Sequence, residues 1–158
     1  MEIRPAEADD FAAIEEIARR TWHATYDELD AGTIDRTVDE WYAPDSMPLD
    51  APGTVVLVVE VDGNVVGFTH AVAQGDSADV LRLYVHPDHQ GEGIGTALHE
   101  RLIRELEAHG VETVRSLDFA FNDASRQFYT GLGFERTDTG EVVIEGERYD
   151  EAVYTLEL

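Results

Sequence analysis

Residues 85–98 read Val85-His-Pro-Asp-His-Gln90-Gly-Glu-Gly-Ile-Gly95-Thr-Ala-Leu98. A strand-like run, Leu83-Tyr84-Val85, reaches His86-Pro87, glycines follow at 91, 93 and 95, and a helical pattern then begins. Such glycines let the main chain approach a ligand in conformations that side chains forbid. The helix behind them turns unsatisfied amides and a partial positive charge back on the loop. The stretch predicts an anion site suited to a pyrophosphate. A Walker A loop ends in Gly-Lys-Ser/Thr, and this chain has no lysine. A dinucleotide fingerprint spaces its glycines at relative positions 1, 3 and 6, whereas the sixth residue from Gly91 is Thr96 and from Gly93 is Leu98. What is left is Gln90-Gly-x-Gly-x-Gly behind a strand; the alternative, a tight turn and nothing more, seldom takes three glycines.

At 158 residues the chain has the size of one domain with a real core, and no repeat or low-complexity linker divides residues 1–158. It has no cysteine, which excludes disulfides, thiolate metal sites and a cysteine nucleophile. The start Met1-Glu2-Ile3-Arg4-Pro5 lacks the basic and apolar regions of a signal peptide, and the longest aliphatic run, Val55–Val59, is too short to span a bilayer. The expectation is a cytoplasmic protein without a membrane partner. Thirty-four acidic residues face eleven basic ones, all arginine, for a net charge of −23, so nucleic acid is not an expected partner. Dense carboxylates without lysine resemble the surfaces of halophilic proteins; the alternative is an acidic protein that binds basic partners.

In chain order, Met1–Arg4 reads as a strand and Glu7–Arg20 as a helix with Phe11, Ile14, Ile17 and Ala18 on one face, started by Asp9 or Asp10. A second helix is expected at Thr33–Tyr42, then a proline-containing loop, Ala43–Gly53. Thr54–Val61 and Val65–Gln74 form a hairpin around Asp62-Gly63-Asn64, and Val80–His86 is the next strand. Ile94, Leu98, Leu102 and Leu106 define an amphipathic helix stopped by Gly110. Thr113–Phe121 is a strand, Asp123–Leu132 a helix capped by Asn122, and Phe134–Thr139, Glu141–Ile144 and Arg148–Leu156 are strands. The pattern is α+β with a mixed sheet.

The second informative stretch is Asn122-Asp-Ala-Ser-Arg-Gln-Phe-Tyr129-Thr-Gly-Leu-Gly-Phe134. Asn122 and Tyr129 lie nearly two helical turns apart and face the same way. Together with the glycine loop, Asn122, Ala124, Phe128, Tyr129, Gly133 and Phe134 resemble the GNAT (Gcn5-related) N-acetyltransferases. The two motifs span Asp79–Phe134; the N-terminal half resembles the family only in its pattern of elements. The resemblance implies a single domain with a mostly antiparallel sheet of about seven strands and about four helices, and acetyl-CoA as acyl donor, without a metal. It further implies that main-chain groups of Leu83 and Val85, beside Tyr84, take the pantetheine arm and that amides of Gln90, Gly91, Glu92, Gly93, Ile94, Gly95 and Thr96 take the pyrophosphate. Asn122, Ser125, Phe128 and Tyr129 complete the cofactor residues, and Arg82 or Arg126 is expected near the 3′-phosphate.

Acyl transfer from a thioester to an amine expels a thiolate whose thiol has a pKa of about 8.5, and a neutral phenol beside it supplies the proton. Tyr129 is the expected general acid. Asp79 occupies the position at which some family members carry a glutamate base; His70 is the fallback. Trp22, His23, Tyr26 and Trp41 either close the core edge or line the acceptor site. The expected activity is transfer of an acetyl group to a primary amine, of a small molecule or a peptide, by direct attack. A silent acyl-CoA-binding regulatory module and a transferase for longer acyl groups are the alternatives. A homodimer fits the resemblance, though no residue specifies its interface.

Overall fold

The computed structural model describes residues 1–158. Its seven strands are β1 (Glu2–Pro5), β2 (Thr54–Val61), β3 (Asn64–Gln74), β4 (Ser77–Val85), β5 (Thr113–Phe119), β6 (Glu135–Ile144) and β7 (Glu147–Glu157), in the sheet order β1-β2-β3-β4-β5-β7-β6. Four helices, α1 (Phe11–Thr25), α2 (Ala31–Trp41), α3 (Ile94–Ala108) and α4 (Asp123–Gly131), cover it. Strand alternation assigns the faces. Val55, Leu57 and Val59 pack on the side of α3 and α4 with Leu98, Leu102 and Leu106; Val56, Val58 and Phe68 pack on the side of α1 and α2 with Ile14, Ile17 and Val38. No helix is long and apolar enough to cross a membrane.

α1 runs to Thr25, five residues beyond the predicted end, because Trp22 and Tyr26 continue the four-residue spacing of Ile14 and Ala18 and are buried with them. Asp10 does not cap it. Its carboxylate accepts two bonds from Arg4 (2.8 and 3.0 Å) and one from the Glu7 amide (2.7 Å), fixing a short 3-10 turn ahead of the helix. The two C-terminal strands expected before Ile144 are one, β6, whose register slips between Arg136 and Asp138.

The centre of the sheet holds the feature that makes a site. β4 and β5 are its one parallel pair, and they pair only from Ser77↔Thr113 to Val80↔Ser116. On the other side of β4, His70 faces Arg82 while Ala71 faces Val80, so Leu81 is an extra, unpaired residue. Such a bulge bends and twists its strand. Beyond it β4 follows β3 and β5 follows β7, and the two central strands diverge into a wedge.

Candidate active site

The glycine loop closes one side of the wedge. Gly91 (φ 80°) and Gly93 (φ 79°) adopt left-handed conformations that disfavour side chains, and Gly93 is the last residue before α3. Gly95 lies where α3 starts against α4: a Cβ there would sit in ordinary contact with the Phe128 ring, at 3.4 Å. The first amide donating back into the structure is that of Ala97, to the Gly93 carbonyl (3.1 Å). The amides of Gly91, Glu92, Gly93, Ile94, Gly95 and Thr96 have no internal acceptor. Six successive open donors at a helix N-terminus form an anion cradle.

All of these residues but Glu92 line a chamber of about 330 Å³ with Leu83, Tyr84, Val85, Gln90, Asn122, Ser125, Phe128 and Tyr129. Every side chain expected at the cofactor site lines it except Glu92, which turns away to His89 (3.2 Å) and leaves only its amide to the loop. The Val85 carbonyl accepts from the Gln90 side chain (3.1 Å), so an incoming donor there must displace a flexible surface amide. Asn122 caps α4 by accepting from the Ser125 amide (3.1 Å). Tyr129 is buried, stacked on Tyr154 at 5.9 Å and edge-on to Phe134 at 5.1 Å. Burial pushes its phenol above the ordinary tyrosine value; the adjacent Ser116 hydroxyl pulls it down, and the charge of Asp118 pushes it up. The phenol therefore holds its proton at neutral pH.

A second chamber of about 350 Å³ opens between the same strands on the α2 side. Trp22, Trp41, Tyr42, Tyr84 and Phe119 provide aromatic walls, and Glu40, Asp118 and Glu151 provide carboxylates. Tyr84 lines both chambers. Its hydroxyl accepts from Trp22 Nε1 (3.2 Å) and Tyr42 (3.1 Å), and Trp22 Nε1 also donates to the Tyr42 hydroxyl (3.1 Å), so α1, the end of α2 and β4 share one polar knot. Arg82 is the cation of this chamber; it lies 4.4 Å from the centre of the Tyr42 ring and its Nη1 is 3.0 Å from His70 Nδ1. It thus lines the second chamber and not the one with the glycine loop, where a 3′-phosphate was expected, while Arg126 pairs with Asp123 at 3.3 Å on exposed α4.

Four residues expected in the acceptor or catalytic set fall elsewhere. Asp79 stands in the paired part of β4, held by both guanidinium nitrogens of Arg115 (2.8 and 3.0 Å), and lines neither chamber. Its neighbours Ala78 and Val80 take the core face, so alternation turns Asp79 the other way. His23 is exposed and bonded to Asp35 (2.9 Å). His70 is buried behind Arg82, where burial and that guanidinium lower its pKa to about 4. Tyr26 lies behind the wall and donates to Asp118 (3.0 Å).

Asp118 is the residue that sequence reasoning missed. It accepts from Tyr26, from the Phe119 amide (2.7 Å), from the Ser125 hydroxyl and, at 3.4 Å, from Asn122 Nδ2. Burial raises its pKa and these four donors pull it back. One sequence signal marks it: Ser116 and Asp118 share the strand face of the buried Val114, placing polar groups where a core face calls for apolar ones.

A bulged, splayed central strand pair, an amide cradle and a buried phenol define an acyltransferase-type cleft, and comparison with known proteins agrees. The acetyltransferase (GNAT) family profile matches residues 11–134. A PaiA N-acetyltransferase from Thermoplasma acidophilum, solved with coenzyme A, superposes at a TM-score of 0.87 with 22% identity, covering 99% of this chain and 98% of that one. The yncA protein of Salmonella typhimurium, solved with its cofactor acetyl-CoA, is 30% identical over 99% of this chain and 93% of its own (TM-score 0.69). A ribosomal-protein-alanine N-acetyltransferase from Brucella melitensis is 26% identical with full coverage of both chains (TM-score 0.71). The chain belongs to the GNAT acetyltransferase family.

Proposed function

We propose that this protein transfers an acetyl group from acetyl-CoA to a primary amine by direct attack, with Tyr129 as general acid. The observation that carries this reading is the run of open amides from Gly91 to Thr96 facing a chamber that also contains the Tyr129 phenol. The cradle suits the pyrophosphate of the donor substrate, and the unpaired side of β4 beyond Val80 suits an extended, amide-bearing arm. The splay leads that arm toward Tyr84, where the two chambers meet. The amine nitrogen attacks the thioester carbon, the C–S bond breaks, and the phenol protonates the departing sulfur. A phenol held neutral by burial keeps that proton until a thiolate forms. The aromatic walls and carboxylates of the second chamber favour a cationic or amine-bearing acceptor. The acceptor, a small molecule or a peptide, is met in the cytoplasm.

The test is thiol release from acetyl-CoA across a panel of amines, read together with coenzyme A affinity. Amine-dependent release with mass-spectrometric detection of the acetylated amine supports the reading. Tight coenzyme A binding without release from any amine identifies a binding module instead, and release only from longer acyl-CoAs identifies a different donor.

A further inference from the structure

Asp118 stands in the wall between the two chambers. It lines the acceptor side beside Trp22, Leu81, Tyr84 and Phe119, while Ser125 and Asn122, which donate to its Oδ2, line the acyl-donor side. It lies two residues past Ser116, where β5 parts from β4, and so stands within the splay. We propose that Asp118 accepts the proton lost by the acceptor amine, an inference that rests on the transferase reading above. The amine N–H bond breaks and an Asp118 O–H bond forms as the nitrogen pair bonds to the acyl carbon. The C–S pair leaves on sulfur, which takes the Tyr129 proton. The cycle closes when solvent carries one proton from Asp118 back to the Tyr129 oxygen.

The geometry favours Asp118 over every other base in reach. Asp79 is locked to Arg115 outside the chambers, and the Nδ1 of His70 is occupied by Arg82. Glu40 and Glu151 line the acceptor chamber as Asp118 does, but no hydrogen bond ties either to a residue of the other chamber, as Asn122 and Ser125 tie Asp118. Oδ1 of Asp118 is held by two good donors, whereas Oδ2 has the Ser125 hydroxyl and one long contact from Asn122. A carboxylate has about four acceptor positions, so Oδ2 keeps one that is weakly filled. The ionisable groups facing Asp118 are Tyr26 from α1, Glu40 from α2 and Tyr42 at its end, Arg82 and Tyr84 from β4, Glu151 and Tyr154 from β7, and Tyr129 from α4. Arg82 alone among them is positive, and it is engaged with His70 and the Tyr42 ring. Burial keeps the carboxylate more basic than a surface aspartate, against the pull of its four hydrogen-bond donors.

The experiment measures kcat against pH for the wild type, Asp118→Asn and Asp118→Ala, with coenzyme A affinity and thermal melting alongside. Both variants are expected to bind coenzyme A within about threefold of wild type and to lose about a hundredfold or more in kcat near neutrality. Formate is expected to restore turnover to Asp118→Ala in proportion to its concentration, and not to Asp118→Asn. Unchanged kcat in Asp118→Asn overturns the proposal, as does loss of coenzyme A binding in parallel with kcat and without formate rescue, which marks a packing role. Should neither variant melt cooperatively, the wild type decides with a weakly basic amine that stays unprotonated. Its kcat must fall tenfold per pH unit on the acid side, and a flat acid limb overturns the proposal. Absence of wild-type turnover with every amine instead removes the transferase reading itself, an outcome that no Asp118 variant can imitate.

Discussion

The ring of Tyr129 packs against Phe128, Phe134 and Tyr154. Tyr129→Phe keeps the ring and its packing. It is expected to lower kcat by about a hundredfold and to leave coenzyme A affinity unchanged, as measured by thiol release and calorimetric titration. His70 supports a prediction on stability. Its folded pKa of about 4 lies below the ordinary 6.5, so on acidification the unfolded chain takes up a proton that the native protein refuses. Stability from this group is complete above pH 6.5 and is lost as pH falls toward 4, by at most about 1.4 kcal/mol per pH unit. Urea unfolding midpoints between pH 6.5 and 5, above the main carboxylate range, are expected to decline on acidification. In His70→Gln the slope should shrink, leaving the contribution of His99, whose pKa burial also lowers.

At the scale of elements, the glycine loop and α4 were legible because their chemistry is local. Gly91 and Gly93 announce a left-handed backbone, and Asn122 announces a helix start, whatever surrounds them. Gly93→Ala meets no atom within 4 Å, so its cost is conformational, about 1 kcal/mol. Thermal melting should report that cost, and coenzyme A affinity should fall as the amides of Ile94 and Gly95 are re-aimed; unchanged affinity would show that the loop does not hold the phosphates. The splay was not legible in this way, because it depends on pairing at a distance. Nothing in Val80-Leu81-Arg82 says that Leu81 bulges; that follows from how β3 meets β4. The same pairing decides that Asp79 belongs to Arg115 and that Arg82 belongs to the second chamber.

Across the whole molecule the charge of −23 confronts an anionic donor substrate with a repulsive field. Local arginines answer part of it: Arg19 alone ties Glu15, Asp35 and Asp39 together between α1 and α2, at 2.9, 2.8 and 2.6 Å. The open amides act at contact distance, whereas distant carboxylates act through a Debye length of about 10 Å at 0.1 M salt and about 3 Å at 1 M. Coenzyme A affinity is accordingly expected to weaken as salt is diluted from about 1 M to about 0.1 M. A dissociation constant that stays level or tightens on dilution would contradict this, and with it the reading of the acidic surface as an adaptation to high salt.

By itself the sequence determined the order of strands and helices, the glycine loop at the start of α3 and the place of Tyr129 on α4. Each depends on periodicity or on backbone freedom within a few neighbouring residues. Only the tertiary structure decided which polar groups face each other across the wedge. Asp118 is one of 34 acidic residues until β5 leaves β4 and brings Tyr26, Asn122 and Ser125 around it from two different helices. Strand alternation marks its face, but partners separated by up to 92 positions in the chain give that carboxylate its character, and no local pattern encodes them.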